Sequence, residues 1–386
     1  MDPQRSDNLV FLDSLRGFAA LYVAIGHARW LLWEGYSGGY TQHPELYNAF
    51  EKLSIYFFSL FKFGHEAVLF FFVLSGFVIH LKQAKALKLG VLHFNYTDYF
   101  KKRFFRIYPP FLFAIALTFV LDILGYSLGF TIYTNNTLNS IINHSVLCDI
   151  RLENLLTNLV FWKTTTTSTF GTNGPLWSLK YEWWFYMIYP FLLILSTKIG
   201  YIKTLVLVIV LSLSAILIEP IAYNFPVNIV GYLLSWWFGV VLADIYTKRI
   251  DINPILFAPL TLIIVLLFMK IDTASDILFD TFWALSFFGL LNFFFYLQTK
   301  GIRFSFLNRF KWMGDCSYTL YVTHFPILVF INGIVLYYNA NQFPITQIFI
   351  PLATLFCLLF AYRLHFFTEK KTNQTLLIAF NKQVKA

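Results

Sequence analysis

Long apolar runs alternate along the chain with short polar connections that hold most of its charge. About ten runs have the length, roughly 17 to 25 residues, that a helix needs to cross the hydrocarbon core of a bilayer. They lie near 9–33, 65–81, 107–125, 176–196, 202–218, 227–247, 255–270, 277–298, 318–338 and 346–367. The stretch 53–63 is apolar but short and carries Lys62, so it reads as interfacial or re-entrant; 155–163 is similar. The pattern predicts an all-α fold, a polytopic transmembrane helix bundle of about ten spans forming a single domain over 1–386. The one long polar connection is about 126–175, with a Thr/Ser-rich end at 164–169. No internal repeat is visible.

Composition narrows the class. Apolar residues make up 58% of the 386 and charged residues only 13%, about half the usual globular share. That charge cannot coat a soluble protein of this size. The 46 Phe, 23 Tyr and 10 Trp exclude a disordered chain. Three cysteines, Cys148, Cys316 and Cys357, exclude a disulfide scaffold and suggest no metal site.

The net charge of +9 has to be read by position. With the N-terminus inside, 22 of the 29 basic residues fall in inner connections and the two ends, among them Lys82, Lys101, Arg103 and Arg106. Cytoplasmic connections are enriched in Lys and Arg in this way. Ten spans then place both termini, including a short basic tail at about 368–386, in the cytoplasm. The basic excess sets orientation, and no nucleic-acid partner is expected. The first span is too long for a cleaved signal peptide and has no small-residue cleavage site before Glu34.

Ionisable groups at membrane depth cost several kcal/mol on insertion scales, so each is a functional hypothesis. In the first span Arg16 and His27 are eleven residues apart, which puts both on one helix face about 16 Å apart along the axis. Asp13 could pair with Arg16, and Gly17 and Gly26 allow close approach of another helix or a ligand. The bland alternative is an arginine snorkelling to the interface and an interhelical histidine hydrogen bond. Arg103 and Arg106 share a face before Ile107-Tyr-Pro-Pro110. They are either a positive-inside stop with lipid phosphate contacts or a clamp for a phosphorylated ligand. The two prolines should end or kink that element. Glu182 sits in the aromatic block Gly174-Pro-Leu-Trp177-Ser-Leu-Lys-Tyr-Glu-Trp-Trp-Phe-Tyr186, with Lys180 on a different face. Those aromatic rings form either an interfacial belt or the floor of a sugar site. His324 lies in Asp315-Cys-Ser-Tyr318-Thr-Leu-Tyr-Val-Thr-His-Phe-Pro326. In Gly64-His-Glu-Ala-Val-Leu-Phe-Phe-Phe-Val-Leu-Ser75-Gly76, the last two residues read first as a helix-packing pair, with His65 and Glu66 near the outer end.

Taken in order, Arg16 with His27, the Phe-Phe-Val-Leu-Ser75-Gly76-Phe segment, Arg103-x-x-Arg106 before Ile-Tyr-Pro, Trp177-Ser-Leu-x-x-Glu182, and Tyr318-Thr-Leu-Tyr-Val-Thr-His324 resemble the acyltransferase-3 family of membrane O-acyltransferases. The resemblance implies transfer of an acyl group, usually acetyl, from cytoplasmic acyl-coenzyme A to a hydroxyl of a cell-surface or secreted glycan, in a bacterial inner membrane. It needs no metal. It casts His27 as general base or transient acyl carrier and Arg16 as the group that orients the donor or stabilises charge. Arg103 and Arg106 would hold coenzyme A phosphates. Asp13, Glu182, His324, Trp177, Ser75 and Tyr318 would support the site or touch substrate. The chain, with only its basic tail after the last span, is expected to lack the extracytoplasmic esterase-like domain that some members carry. A homo-oligomer is open. A glycan or lipid-linked-sugar transporter is the main rival, disfavoured by the absence of paired broken helices.

Overall fold

In lipid no water satisfies a backbone carbonyl, so each apolar run has to close its own hydrogen bonds. Each of the ten runs coincides with a helix. The computed structural model of the chain describes residues 9–91, 94–221, 224–268 and 275–370. Among them there are helices and no strand. The ten are α1 (Val10–Leu31), α3 (Gly64–Lys88), α4 (Tyr96–Ser127), α7 (Trp177–Ile199), α8 (Tyr201–Ile218), α9 (Phe225–Tyr246), α10 (Pro254–Phe268), α11 (Asp276–Thr299), α13 (Ser317–Tyr338) and α14 (Phe349–His365). Short helices lie between them: α2 (Ala49–Ser59), α5 (Ser140–Ser145), α6 (Leu152–Leu159) and α12 (Lys311–Asp315). Among the described residues seven helical stretches are long and apolar enough to cross a membrane: 49–88, α4, α8, α9, α11, α13 and 349–369. Outside that set fall α1 and α7, whose ionisable and Trp/Tyr residues lower their hydropathy, and α10, with 15 residues. The chain is an all-helical integral membrane protein. The predicted tail from 371 on and the first eight residues lie outside the described residues, and the inward placement of both termini with them.

The prolines at 109 and 110 do not end their element. Asn95 caps α4 by accepting from the Asp98 amide at 3.1 Å, and the helix runs unbroken through both prolines to Ser127. In the turn they weaken, the Tyr318 hydroxyl donates to the Ile107 carbonyl at 3.0 Å. Two other span prolines have the carbonyl they leave free taken up by a side chain. Pro190 cannot donate to the Tyr186 carbonyl, which instead accepts from the Tyr99 hydroxyl at 3.1 Å. Pro326 leaves the Val322 carbonyl free, and Asn173 Nδ2 donates to it at 2.9 Å. That bond also ties the end of the long polar connection to α13. Asp122, buried in α4, holds the same connection by accepting from the Thr172 amide (2.8 Å) and hydroxyl (2.7 Å).

Apolar burial drives little helix association in lipid, so close backbone contact and interhelical hydrogen bonds carry more of it. The tightest crossing joins α3 to α9 at Gly76 and Gly239. A Cβ on Gly239 would stand 2.6 Å from the Phe77 nitrogen. Gly239→Val is therefore expected to push the two helices apart and cost on the order of 1–3 kcal/mol, read as a lower melting temperature of the purified protein. Gly17 plays the same part for α1, where a Cβ would lie 2.6 Å from the Gly314 nitrogen of α12. Gly26 faces the Phe61 carbonyl at the turn between α2 and α3. Both glycines thus permit the close approach expected of them. The core centres on Trp236, Tyr186, Tyr189, Phe72, Phe77 and Phe185, all fully buried.

Candidate active site

Five helices, α1, α3, α4, α7 and α13, line a cavity that opens to the surface. Six of the predicted residues line it: Asp13, Arg16, Ser75, Arg106, Glu182 and Tyr318. They come from all five helices, so the shared lining is a property of the tertiary fold.

Each is held differently. Arg16 donates from Nε to Ser317 Oγ at 2.9 Å and from Nη2 to the Gly314 carbonyl at 2.6 Å. Its ion pair with Asp13 is longer, 3.8 Å. Glu182 Oε1 accepts from the Ser75 hydroxyl at 2.8 Å and from the Tyr186 hydroxyl. Ser75 Oγ in turn accepts from Trp236 Nε1 at 3.2 Å. The Ser75-Gly76 pair is thus divided: about 100° of helix rotation sends Gly76 against α9 and the serine into the cavity. Arg106 makes no hydrogen bond or ion pair among the described residues, yet lies within electrostatic reach of Glu182, Glu369 and Asp13. Arg103 packs its guanidinium over the Tyr99 and Tyr186 rings, at 5.5 and 5.7 Å, and its buried Nε has no partner among the described residues. Lys180 points away from Glu182, as expected, and donates to the Ser168 carbonyl at 3.1 Å.

The two histidines meet. His27 Nδ1 and His324 Nε2 are 2.8 Å apart and their rings stack, with centroids 5.1 Å apart and planes inclined by 8°. The network assigns the protons. His324 Nδ1 faces the Leu320 and Tyr321 carbonyls at 3.0 and 2.8 Å, and carbonyls only accept, so that nitrogen donates. In the neutral ring its Nε2 is then an acceptor, and His27 Nδ1 must donate to it. His27 Nε2 is left with the free lone pair. The pair sits past Tyr321, a cavity-lining residue whose ring centre is 6.0 Å from that of His324. Arg16 contacts Ser317 and His27 contacts His324, so their contact points lie about 10 Å apart along α13, against about 16 Å between the two residues along α1.

Trp177 does not line the cavity; it stacks under His65 with centroids 5.1 Å apart. Neighbours that the sequence reading left out complete the site. Ser178 Oγ and the Tyr321 hydroxyl pair at 2.7 Å on the wall. Glu369 accepts from the Thr319 amide at 3.2 Å and from its hydroxyl, facing Arg16 and Arg106. Three carboxylates within apolar runs, Asp122, Asp244 and Asp280, carry the same depth signal as Glu182. Asp244 is fully buried between His80 Nε2 (3.1 Å) and Arg249 (3.0 Å) and ties α3 to α9.

Among the described residues no group of three His, Cys, Asp or Glu side chains could hold a metal. Burial, with Asp122 beside it, pushes the Cys148 thiol up to about 12, which leaves it no thiolate for nucleophilic work. His27, His324 and Arg103 lie outside the cavity lining, so the arrangement offers a largely apolar cavity with Arg16 and Arg106 in its wall and, past Tyr321, a base with an oriented lone pair. No curated protein and no solved structure matches the chain. The family model for the acyltransferase-3 acyltransferase domain matches residues 9–362, and the chain therefore belongs to that family of membrane acyltransferases.

Proposed function

We propose that the protein moves an acyl group, acetyl foremost, from cytoplasmic acyl-coenzyme A to a hydroxyl of a cell-surface or secreted glycan. The setting is a bacterial inner membrane, with the basic connections on the cytoplasmic side. The observation that carries the reading is a cavity lined by Arg16 and Arg106 with, outside its lining and past Tyr321, a histidine pair whose network leaves one lone pair free. The acceptor hydroxyl gives its proton to His27 Nε2 as its oxygen attacks the thioester carbon. The tetrahedral oxyanion collapses, the C–S bond breaks, and the thiolate takes the proton back from His27. Atoms and charge balance without a further reactant. His324 acts as a positioning residue that keeps the proton of His27 on Nδ1, the logic by which an orienting group serves a catalytic histidine. Arg103 and Arg106 hold the coenzyme A phosphates, and Arg16 helps orient the donor at the same end. A long thiol arm suits the roughly 10–16 Å between Arg16 and His27.

The test joins two measurements. Mass spectrometry of surface glycans from cells with and without the gene should show O-acyl groups that depend on it. Purified protein should release thiol from acyl-coenzyme A only when the unacylated glycan is added. A transporter would move glycan without thiol release.

A further inference from the structure

We propose that His65, Asp280, Tyr232 and Trp177 form a subsite that binds the acceptor as a polyhydroxylated carbohydrate. This rests on the acyl-transfer reading above and adds the place where the acceptor is recognised.

Asp280, on α11, is buried, and its Oδ2 accepts from the Tyr232 hydroxyl at 2.8 Å and meets His65 Nε2 at 2.7 Å. A carboxylate only accepts, so Nε2 of His65 carries a proton and donates to Asp280, which fixes the ring and leaves Nδ1 to a ligand. Nδ1 has no partner among the described residues, and the His65 side chain is 49% exposed. The ring lies nearly parallel to Trp177, inclined by 12°. Trp177 in turn abuts Tyr181 and Tyr232. A half-exposed imidazole backed by Trp177 and fixed by Asp280 is what a sugar needs: a C–H face packs on the open side of the ring while a hydroxyl bonds to its nitrogen.

The place fits as well. Residues 65, 68, 72, 75 and 79 form one stripe of α3, and all but His65 line the cavity. His65 is one turn past Val68, at the end away from Arg106. There Gly64 at the start of α3 meets Val23 of α1, and Phe61 just before it meets Gly26, next to His27. A hydroxyl held at this end is on the side of the proposed base. A His–Asp pair serving only to tie α3 to α11 would need neither the exposed nitrogen nor the backing of Trp177.

The experiment uses full-length protein in membranes and, as probe, the native unacylated glycan from cells lacking the gene. His65→Ala is expected to raise the glycan KM about tenfold or more, the loss that follows removal of one substrate hydrogen bond. Affinity for acyl-coenzyme A should stay within about twofold of the unaltered protein. Asp280→Ala should act in the same direction, because it removes the oxygen that holds His65 Nε2–H and fixes the ring. An unchanged glycan KM in His65→Ala overturns the subsite. So does a parallel loss of donor affinity and melting temperature in both variants, which would mark a structural tie. If the unaltered protein acylates no glycan, the acyl-transfer reading itself falls and the subsite with it.

Discussion

His27→Ala is expected to slow acceptor-dependent thiol release about 10²- to 10⁴-fold, the range supplied by a positioned general base. Alanine removes the only lone pair that the two-histidine network aims away from itself. Donor affinity should hardly move, because among the described residues His27 makes no hydrogen bond or ring contact with Arg103 or Arg106. The neighbour sharpens the test. His324→Ala takes away the acceptor that keeps the His27 proton on Nδ1, 2.8 Å from His324 Nε2. A fraction of the rings would still adopt the productive tautomer, so the expected loss is smaller, on the order of tenfold. His324→Gln offers an amide oxygen at the same place and should recover part of it. Full activity in His27→Ala, at matched membrane level, would remove the base from the mechanism. Equal losses in all three variants would point to packing instead.

The runs and their helices agree within a few residues because lipid leaves the backbone no choice but to close its bonds locally. The largest difference is α4, which starts at Tyr96 and passes through Pro109 and Pro110. The Asn95 cap and the Tyr318 hydroxyl that support it lie outside the apolar pattern. Single groups at membrane depth were equally legible: Arg16, Arg106, Glu182, Ser75, Asp13 and Tyr318 line one cavity. Their partners were not. His27 meets His324 across 297 residues and His65 meets Asp280 across 215, and periodicity says nothing about contacts at that separation. Ser75 shows the limit within one turn. Its residue type suits packing, and only the placement of α7 makes it a donor to Glu182.

With Arg106 replaced by alanine, affinity for acyl-coenzyme A is expected to fall roughly 10- to 150-fold, the equivalent of about 1.5–3 kcal/mol for a hydrogen bond to a charged group. Arg106 suits this role because no hydrogen bond or ion pair among the described residues occupies its guanidinium, while Arg16 is engaged by Ser317 and Gly314. Arg106→Lys should recover little, since an ammonium lacks the planar fork that meets two phosphate oxygens at once. The same guanidinium lies among the carboxylates of Glu182, Glu369 and Asp13, so its loss also removes a compensating charge. Adding Glu182→Gln to Arg106→Ala takes away one of those negative charges and separates the effects. If the double variant melts like the unaltered protein and still binds donor weakly, the arginine is a donor anchor. If donor affinity holds while turnover falls, Arg106 acts on the oxyanion and not on the phosphates. A folded Arg106→Ala protein with both unchanged would leave the cavity's free cation without a part in acyl transfer.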